Sequence, residues 1–218
     1  MPPAVIFDMD GTLFQTNMIL EMSLDETFAY LTSRQEWSGI TPIEQYRRIM
    51  GATLSVVWET LMPDHTDDIR RDANDYFHDK LIANIHGGRG ALYPHVYEML
   101  EALKQAGCPL FIASNGQREY LQAIVSQYEL DRWVTETFSI QQIQSEDKTD
   151  LIAHILRKYA IGQAAVVGDR LTDIRAAKGN GLLAIGCRFD FAQEDELAQA
   201  DAVVEDLLDV PALVQGRT

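Results

Sequence analysis

An α/β fold with a doubly wound parallel sheet, joined to a smaller all-helical domain, is predicted by three observations. Short apolar runs recur along the chain, helical periodicities separate them, and one long stretch after the first run contains nothing strand-like. The first run, Ala4-Val5-Ile6-Phe7, is branched and aromatic and gives way to Asp8-Met9-Asp10-Gly11, the pattern of a buried strand reaching a turn. Similar runs occupy residues 109–113, 164–167, 182–185 and 202–204, and a weaker one lies near residues 137–143. Between them, Val96, Leu100 and Leu103 mark one helix face, Leu151, Ile155 and Tyr159 mark another, and Ala176-Ala177 suits close helix packing. Strands alternating with helices of this length imply a parallel sheet covered on both faces.

The interruption runs from Thr16 to Ile85 and reads as several helices. Pro42, after Thr41, opens one of them, and Gly51 and Pro63 punctuate those that follow. The expected division is therefore a catalytic core of residues 1–15 and 88–218 with a helical cap of residues 16–87. Gly87-Gly88-Arg89-Gly90 is the expected return hinge, because glycines absorb large backbone changes.

Composition narrows the function. With 33 acidic and 18 basic residues among 218, the net charge of −15 repels nucleic acid and anionic membrane surfaces. No apolar run approaches the roughly 18 residues of a membrane span, and residues 4–7 are too few for a signal-peptide core. Cys108 and Cys187, the only cysteines, each adjoin an apolar run and read as buried thiols, which points to a cytoplasmic protein. Monomer and homodimer are equally compatible with the sequence.

In an open parallel sheet the carboxyl ends of the strands face a shared crevice, so the residues just after strands deserve inspection. Asp8 and Asp10 follow the first run, Ser114-Asn115-Gly116 the second, and Gly168-Asp169 with Asp173 the run at 164–167, while Lys148 opens a helix ahead of Asp169. Each has an ordinary reading alone: a solvated Asp-x-Asp loop, a serine helix cap, a surface lysine, an acid in a helix first turn. An EF-hand is excluded, because a loop starting at Asp8 would put Leu13 where glycine is needed and Ile19 where the bidentate glutamate belongs. What is informative is that all of them occur in one order at one sheet edge.

Asp8-Met9-Asp10-Gly11-Thr12-Leu13, Ser114, Lys148 and Gly168-Asp169-Arg170-Leu171-Thr172-Asp173 resemble the four ordered motifs of the haloacid dehalogenase-like hydrolase superfamily. The helical insertion is similar to the cap of its phosphoglycolate phosphatase-like members, and Leu92-Tyr93-Pro94 resembles the point where such caps rejoin the Rossmann-like core. The resemblance implies that Asp8 attacks phosphorus to form an aspartyl phosphate, and that Asp10 protonates the leaving oxygen and then activates water. It further implies that Ser114 and neighbouring groups (Thr12, Asn115, Gly116) hold the phosphoryl oxygens and that Lys148 neutralises charge. Mg²⁺ would be bound by the Asp8 side chain, the Asp10 carbonyl and Asp169, with Asp173 nearby or coordinating. Three departures from the pattern stand out: Gln15 where many relatives have an acid, Thr149 where many have proline after the lysine, and Arg170, for which a structural salt bridge is the favoured reading.

Electrostatics support the metal independently. Four carboxylates and one ammonium leave three net negative charges to repel a phosphate dianion, and a divalent cation with a protonated Asp10 would bring the site to neutrality. The sequence leaves other functions on this core open. A sugar phosphomutase shares the aspartates, and nucleotidase and pyrophosphatase activities would use the same chemistry. A dehalogenase does not need Asp10. A receiver-like signalling domain puts its acids on different strands and lacks a large insertion. The substrate is expected to be a small phosphorylated metabolite read by the cap, where Tyr46, Arg47, Arg48, Trp58, His65 and His86 are candidates. Ile43, Tyr46, Ile49 and Met50 mark the packed side of the helix after Pro42, so one of the neighbouring arginines, Arg47 in the first instance, is placed to bind a second anionic group.

Overall fold

The computed structural model describes residues 2–49, 52 and 54–216. The expectations attached to Met50 and Gly51 lie outside the described residues. The chain opens with β1 (Ala4–Phe7), then continues through α1 (Asn17–Ser33), α2 (Ile43–Arg48), α3 (Leu54–Leu61) and α4 (Asp67–His86). From there helices and strands alternate: α5 (Val96–Gln105), β2 (Leu110–Ser114), α6 (Arg118–Gln127), β3 (Glu136–Ser139), α7 (Lys148–Lys158), β4 (Ala164–Gly168), α8 (Leu171–Gly179) and β5 (Leu183–Cys187). The short helix α9 (Glu194–Leu197), β6 (Ala202–Val204) and α10 (Val210–Gln215) complete the chain.

Among the described residues the sheet has six strands, all parallel, in the order β3-β2-β1-β4-β5-β6. Each strand reads as a nearly continuous apolar run because both faces are covered. Val5 and Phe7 face a core completed by Met99, Leu103, Ile124 and Val210, while Ala4 and Ile6 face Leu151, Ile155 and Ile174. Helices α5, α6 and α10 therefore cover one side, and α7 and α8 the other. Strand order reverses at β1, so the crevice at the carboxyl edge opens beside the end of that strand, where Asp8 stands.

Helices α1 to α4 pack on one another, α1 chiefly along α4. Their buried Leu20, Leu24, Phe28, Trp58, Phe77 and Leu81 continue the first core through Met9 and Phe14. Pro42 caps α2 and Gly87 caps α4, as the breakers in the sequence imply. Both cysteines are free and buried. Among the described residues, no helix is long and apolar enough to cross a membrane.

The weak strand expected at residues 137–143 is shorter than its apolar run. β3 stops at Ser139, where a 3₁₀ turn, Ile140–Gln142, begins. Ser139 starts that turn by accepting from the Gln141 N–H while its own N–H donates to the Gln142 side chain. Those reciprocal bonds satisfy backbone groups that a longer strand would have had to pair with the sheet.

Candidate active site

Asp8 belongs to the sheet edge, since its backbone N–H donates to Val167 O at 2.9 Å. The chain then turns sharply, with the N–H groups of Leu13 and Phe14 both donating to Met9 O. Gly11 sits in this turn at φ +73°, and a Cβ there would lie 2.4 Å from Asp169 Oδ2. Only glycine meets both demands. The turn separates the two acids: the Asp8 carboxylate faces Lys148, whereas Asp10 accepts from Thr16 Oγ1 at 2.5 Å and from the Tyr120 hydroxyl.

Lys148 is 4% exposed and bridges two elements, with Nζ 2.5 Å from Asp8 Oδ1 and 2.6 Å from Asp173 Oδ1. The first contact is a hydrogen bond; the second is a close ion pair without hydrogen-bond alignment. The lysine is the first residue of α7, whose N-cap Asp147 accepts from the Thr149 N–H at 2.7 Å. Proline at position 149 could not make that bond, which gives a physical reason for a residue other than proline here. Burial by itself would lower the Lys148 pKa, but the charges of Asp173 and Asp8 outweigh it and hold the ammonium protonated.

Asp169 and Asp173 join Asp8 in a group whose oxygens all lie within 4.8 Å of one another. Asp169 is fully buried, takes a 3.3 Å hydrogen bond from Thr12 Oγ1 on Oδ1, and has no partner on Oδ2. Asp173 accepts from the Arg170 N–H at 3.1 Å in the first turn of α8. Burial, and after it the neighbouring acids, push Asp169 far above the usual carboxylate range. Asp8 rises to about 7 through burial, opposed by Lys148 and reinforced by Asp173 and Asp10. One ammonium is too little charge for three buried carboxylates, and an orphaned oxygen remains. The all-oxygen donor set fits a hard divalent cation, so the cluster could hold a metal ion.

Gly168 is as constrained as Gly11. A Cβ on it would fall 2.2 Å from Asp173 Cγ, so Gly168→Ala must displace that carboxylate or the end of β4. Expected is a loss of at least ~2 kcal/mol of stability, as for other overpacked sites, with activity lost as well. Denaturant melts compared with those of the parent protein check this; an unchanged midpoint would contradict the packing described.

Ser114 ends β2 and is 2% exposed. Its Oγ accepts from the Gly116 N–H at 3.0 Å, while Ser139 Oγ donates to Gly116 O at 2.6 Å. The Ser114-Asn115-Gly116 loop is thus tied from both sides, and Gln117 rather than Ser114 is the N-cap of α6.

The structure brings Asp8, Asp10, Ser114, Asn115, Gly116 and Lys148 to one cavity, and the Asp169 and Asp173 oxygens cluster with that of Asp8. Two of the expected residues lie outside the cavity lining. Thr12 is not in the cavity wall, and its hydroxyl donates to Asp169. Arg47 is turned away as well, paired with Glu21 of α1 and with Glu44 at 2.9 Å. Trp58, His65 and His86 do not line the cavity either: Trp58 donates to Asn74, and His65 bonds Glu36 O. Gln15 donates to Leu92 O at 2.7 Å and so latches the first turn to the returning chain. Arg170 pairs with Glu196 at 2.9 Å, the structural salt bridge expected of it.

Several cavity residues escaped the sequence reading: Thr16, Thr172, Tyr120 on α6, and His78 on α4, which complements Tyr46 of α2. His78 shares the buried side of its helix with Leu81 and Ile85, and that three-to-four-residue spacing is a signal that could have found it. Burial lowers its pKa, outweighing the bond to Asn74 and the acids near it.

The chain matches the haloacid dehalogenase-like hydrolase family model over residues 2–181. It is 26% identical over 220 residues to a Listeria monocytogenes protein named pyrophosphatase PpaX, covering 97% of this chain and 95% of that one. It is 23% identical to a Vibrio vulnificus phosphoglycolate phosphatase, covering 90% of this chain and 88% of the relative. Among solved structures, one described as a predicted phosphoglycolate phosphatase from Haemophilus somnus superposes with a TM-score of 0.85 at 22% identity, covering 97% of each chain. With the family model spanning most of the sequence, this chain belongs to the haloacid dehalogenase-like hydrolase family.

Proposed function

We propose that this hydrolase is a phosphatase of small phosphate monoesters that works through an aspartyl phosphate on Asp8. The observation that carries the reading is the buried Lys148, held between Asp8 and Asp173 beside the tied Ser114-Asn115-Gly116 loop. A buried ammonium and a loop of donors at one carboxylate suit an incoming phosphoryl group better than any other common group. The names of the similar proteins, pyrophosphatase, phosphoglycolate phosphatase and 5′-nucleotidase, support phosphate chemistry while differing in what carries the phosphate.

In the first step an Asp8 oxygen attacks phosphorus, the bond to the ester oxygen breaks, and Asp10 gives that oxygen its proton. In the second, Asp10 takes a proton from water, the water oxygen attacks phosphorus, and the Asp8–phosphorus bond breaks. Alcohol and inorganic phosphate leave, and both aspartates return to their starting states. Thr16 and Tyr120 aim Asp10, and Lys148 and Ser114 hold the phosphoryl oxygens. Mg²⁺ bound by Asp8, Asp169 and the Asp10 carbonyl, with Asp173 adjacent, would supply the positive charge that Lys148 alone does not. Residues 1–15 and 88–218 then act as the catalytic core and residues 16–87 as the cap, with the glycines after α4 as its hinge. Free buried thiols favour a cytoplasmic setting.

Phosphate release from an aryl phosphate and a panel of small esters tests this. Activity should require Mg²⁺, vanish with chelator, return on adding the metal, and return poorly in Asp169→Ala. Full activity in a verified metal-free preparation would remove the metal from the mechanism.

A further inference from the structure

We propose that the leaving-group side of the cavity accepts a compact, uncharged alcohol and rejects a second anionic group. The favoured substrates are then phosphate monoesters whose remainder is neutral. This rests on the phosphatase reading above and narrows it.

The wall that faces the phosphate site is supplied by α2, α3 and α4 through Tyr46, Val57, Phe77, His78 and Leu81. All but His78 present aliphatic carbon or a benzene ring, and Trp58 meets the Phe77 ring edge to face with ring centres 5.8 Å apart. Among the described residues that line the cavity, Lys148 is the only lysine or arginine, and it is already committed to Asp8 and Asp173. Neither arginine of α2 lines the cavity: Arg47 is paired with Glu21 and Glu44 on the outside and Arg48 also lies outside the lining, while Arg170 is paired with Glu196. Positions 50, 51 and 53–55 are Met, Gly, Thr, Leu and Ser, so their identities alone add no cation.

The histidine does not fill the gap. His78 Nδ1 lies 2.8 Å from Asn74 O, and because a carbonyl only accepts, Nδ1 carries the hydrogen. In the neutral ring Nε2 is then a lone pair, suited to a substrate hydroxyl and unsuited to a carboxylate. Asp10, held in the same cavity by Thr16 and Tyr120, gives its proton to the leaving oxygen in the first step and so offers a substrate carboxylate no cationic partner. Taking an unpaired carboxylate out of water against this wall, with no cationic partner, should lower kcat/KM by ~10–100-fold.

The test uses the intact protein with Mg²⁺ and two matched pairs of esters: 2-hydroxyethyl phosphate against phosphoglycolate, and glycerol 3-phosphate against 3-phosphoglycerate. 4-Nitrophenyl phosphate reports phosphatase activity independently. The neutral member of each pair should be favoured at least ~10-fold in kcat/KM. A carboxylated member hydrolysed as well as its neutral partner, in either pair, overturns the proposal while leaving the phosphatase reading intact. If neither the aryl ester nor any of the four is hydrolysed, the phosphatase reading itself falls. Val57→Lys puts an ammonium into the wall and should narrow the neutral preference at least threefold. A variant that melts cooperatively and leaves the ratio unchanged would remove this wall from substrate choice; the wild-type ratios decide the proposal whether or not that variant folds.

Discussion

Asp8→Asn is expected to abolish turnover, by roughly 10⁴-fold or more, on every substrate including an activated aryl phosphate, because an amide cannot attack phosphorus. The fold should survive and gain. In the absence of metal, Asp8 is one of three buried carboxylates sharing a single ammonium, and Lys148 keeps Asp173 as a partner when Asp8 is neutralised. Removing one of the like charges should raise metal-free stability by about 1 kcal/mol, or roughly 2–4 °C in a chain of this size. Calorimetry in chelator beside a rate assay separates the two effects. A variant that is both inactive and strongly destabilised would mean that Asp8 holds the fold together, and near-normal activity would end its role as nucleophile.

Asp10→Asn is expected to divide substrates by their leaving group. General-acid help contributes typically 10²–10⁴-fold where the departing oxygen needs a proton, so alkyl esters should lose about that much. The first step on 4-nitrophenyl phosphate should lose far less, because nitrophenolate leaves unprotonated. Asp10 is held by Thr16 and Tyr120 rather than by a hydrogen bond to Lys148, which leaves it free to serve a leaving group. Burial raises its pKa, partly offset by those two hydrogen bonds, which favours the protonated form that the first step requires. Measuring kcat/KM for both ester classes checks this; equal losses would make Asp10 a structural or metal-holding residue.

The core was legible because parallel strands covered on both faces must be continuous apolar runs, as residues 4–7 and 164–167 are. The site residues were legible for a related reason: strand ends at the crevice have little else to do, so Asp8 and Asp169 follow their strands directly and Ser114 ends its own. Lys148 was legible through its place at a helix start. The cap wall was not. Of the candidates read from the cap only Tyr46 lines the cavity; the spacing of His78 puts it on the buried side of α4, but that this side meets the cavity depends on how the helices dock. The spacing of Arg47 and Arg48 posed a choice between them, but the pairing of Arg47 with Glu21 depends on a second helix 26 residues earlier. Tyr120 and Asp10 are 110 residues apart and meet only because β1 and β2 are neighbours in the sheet.

The claim on which the rest depends is that phosphate passes through Asp8. Rapid acid quench of Asp10→Asn with a radiolabelled aryl phosphate tests it most directly, because this variant should complete the first step and stall in the second for want of a base. The account predicts a burst of one aryl alcohol per active site, with acid-stable label on the peptide containing Asp8. Turnover with no labelled protein at any quench time, or label on another residue, would contradict it.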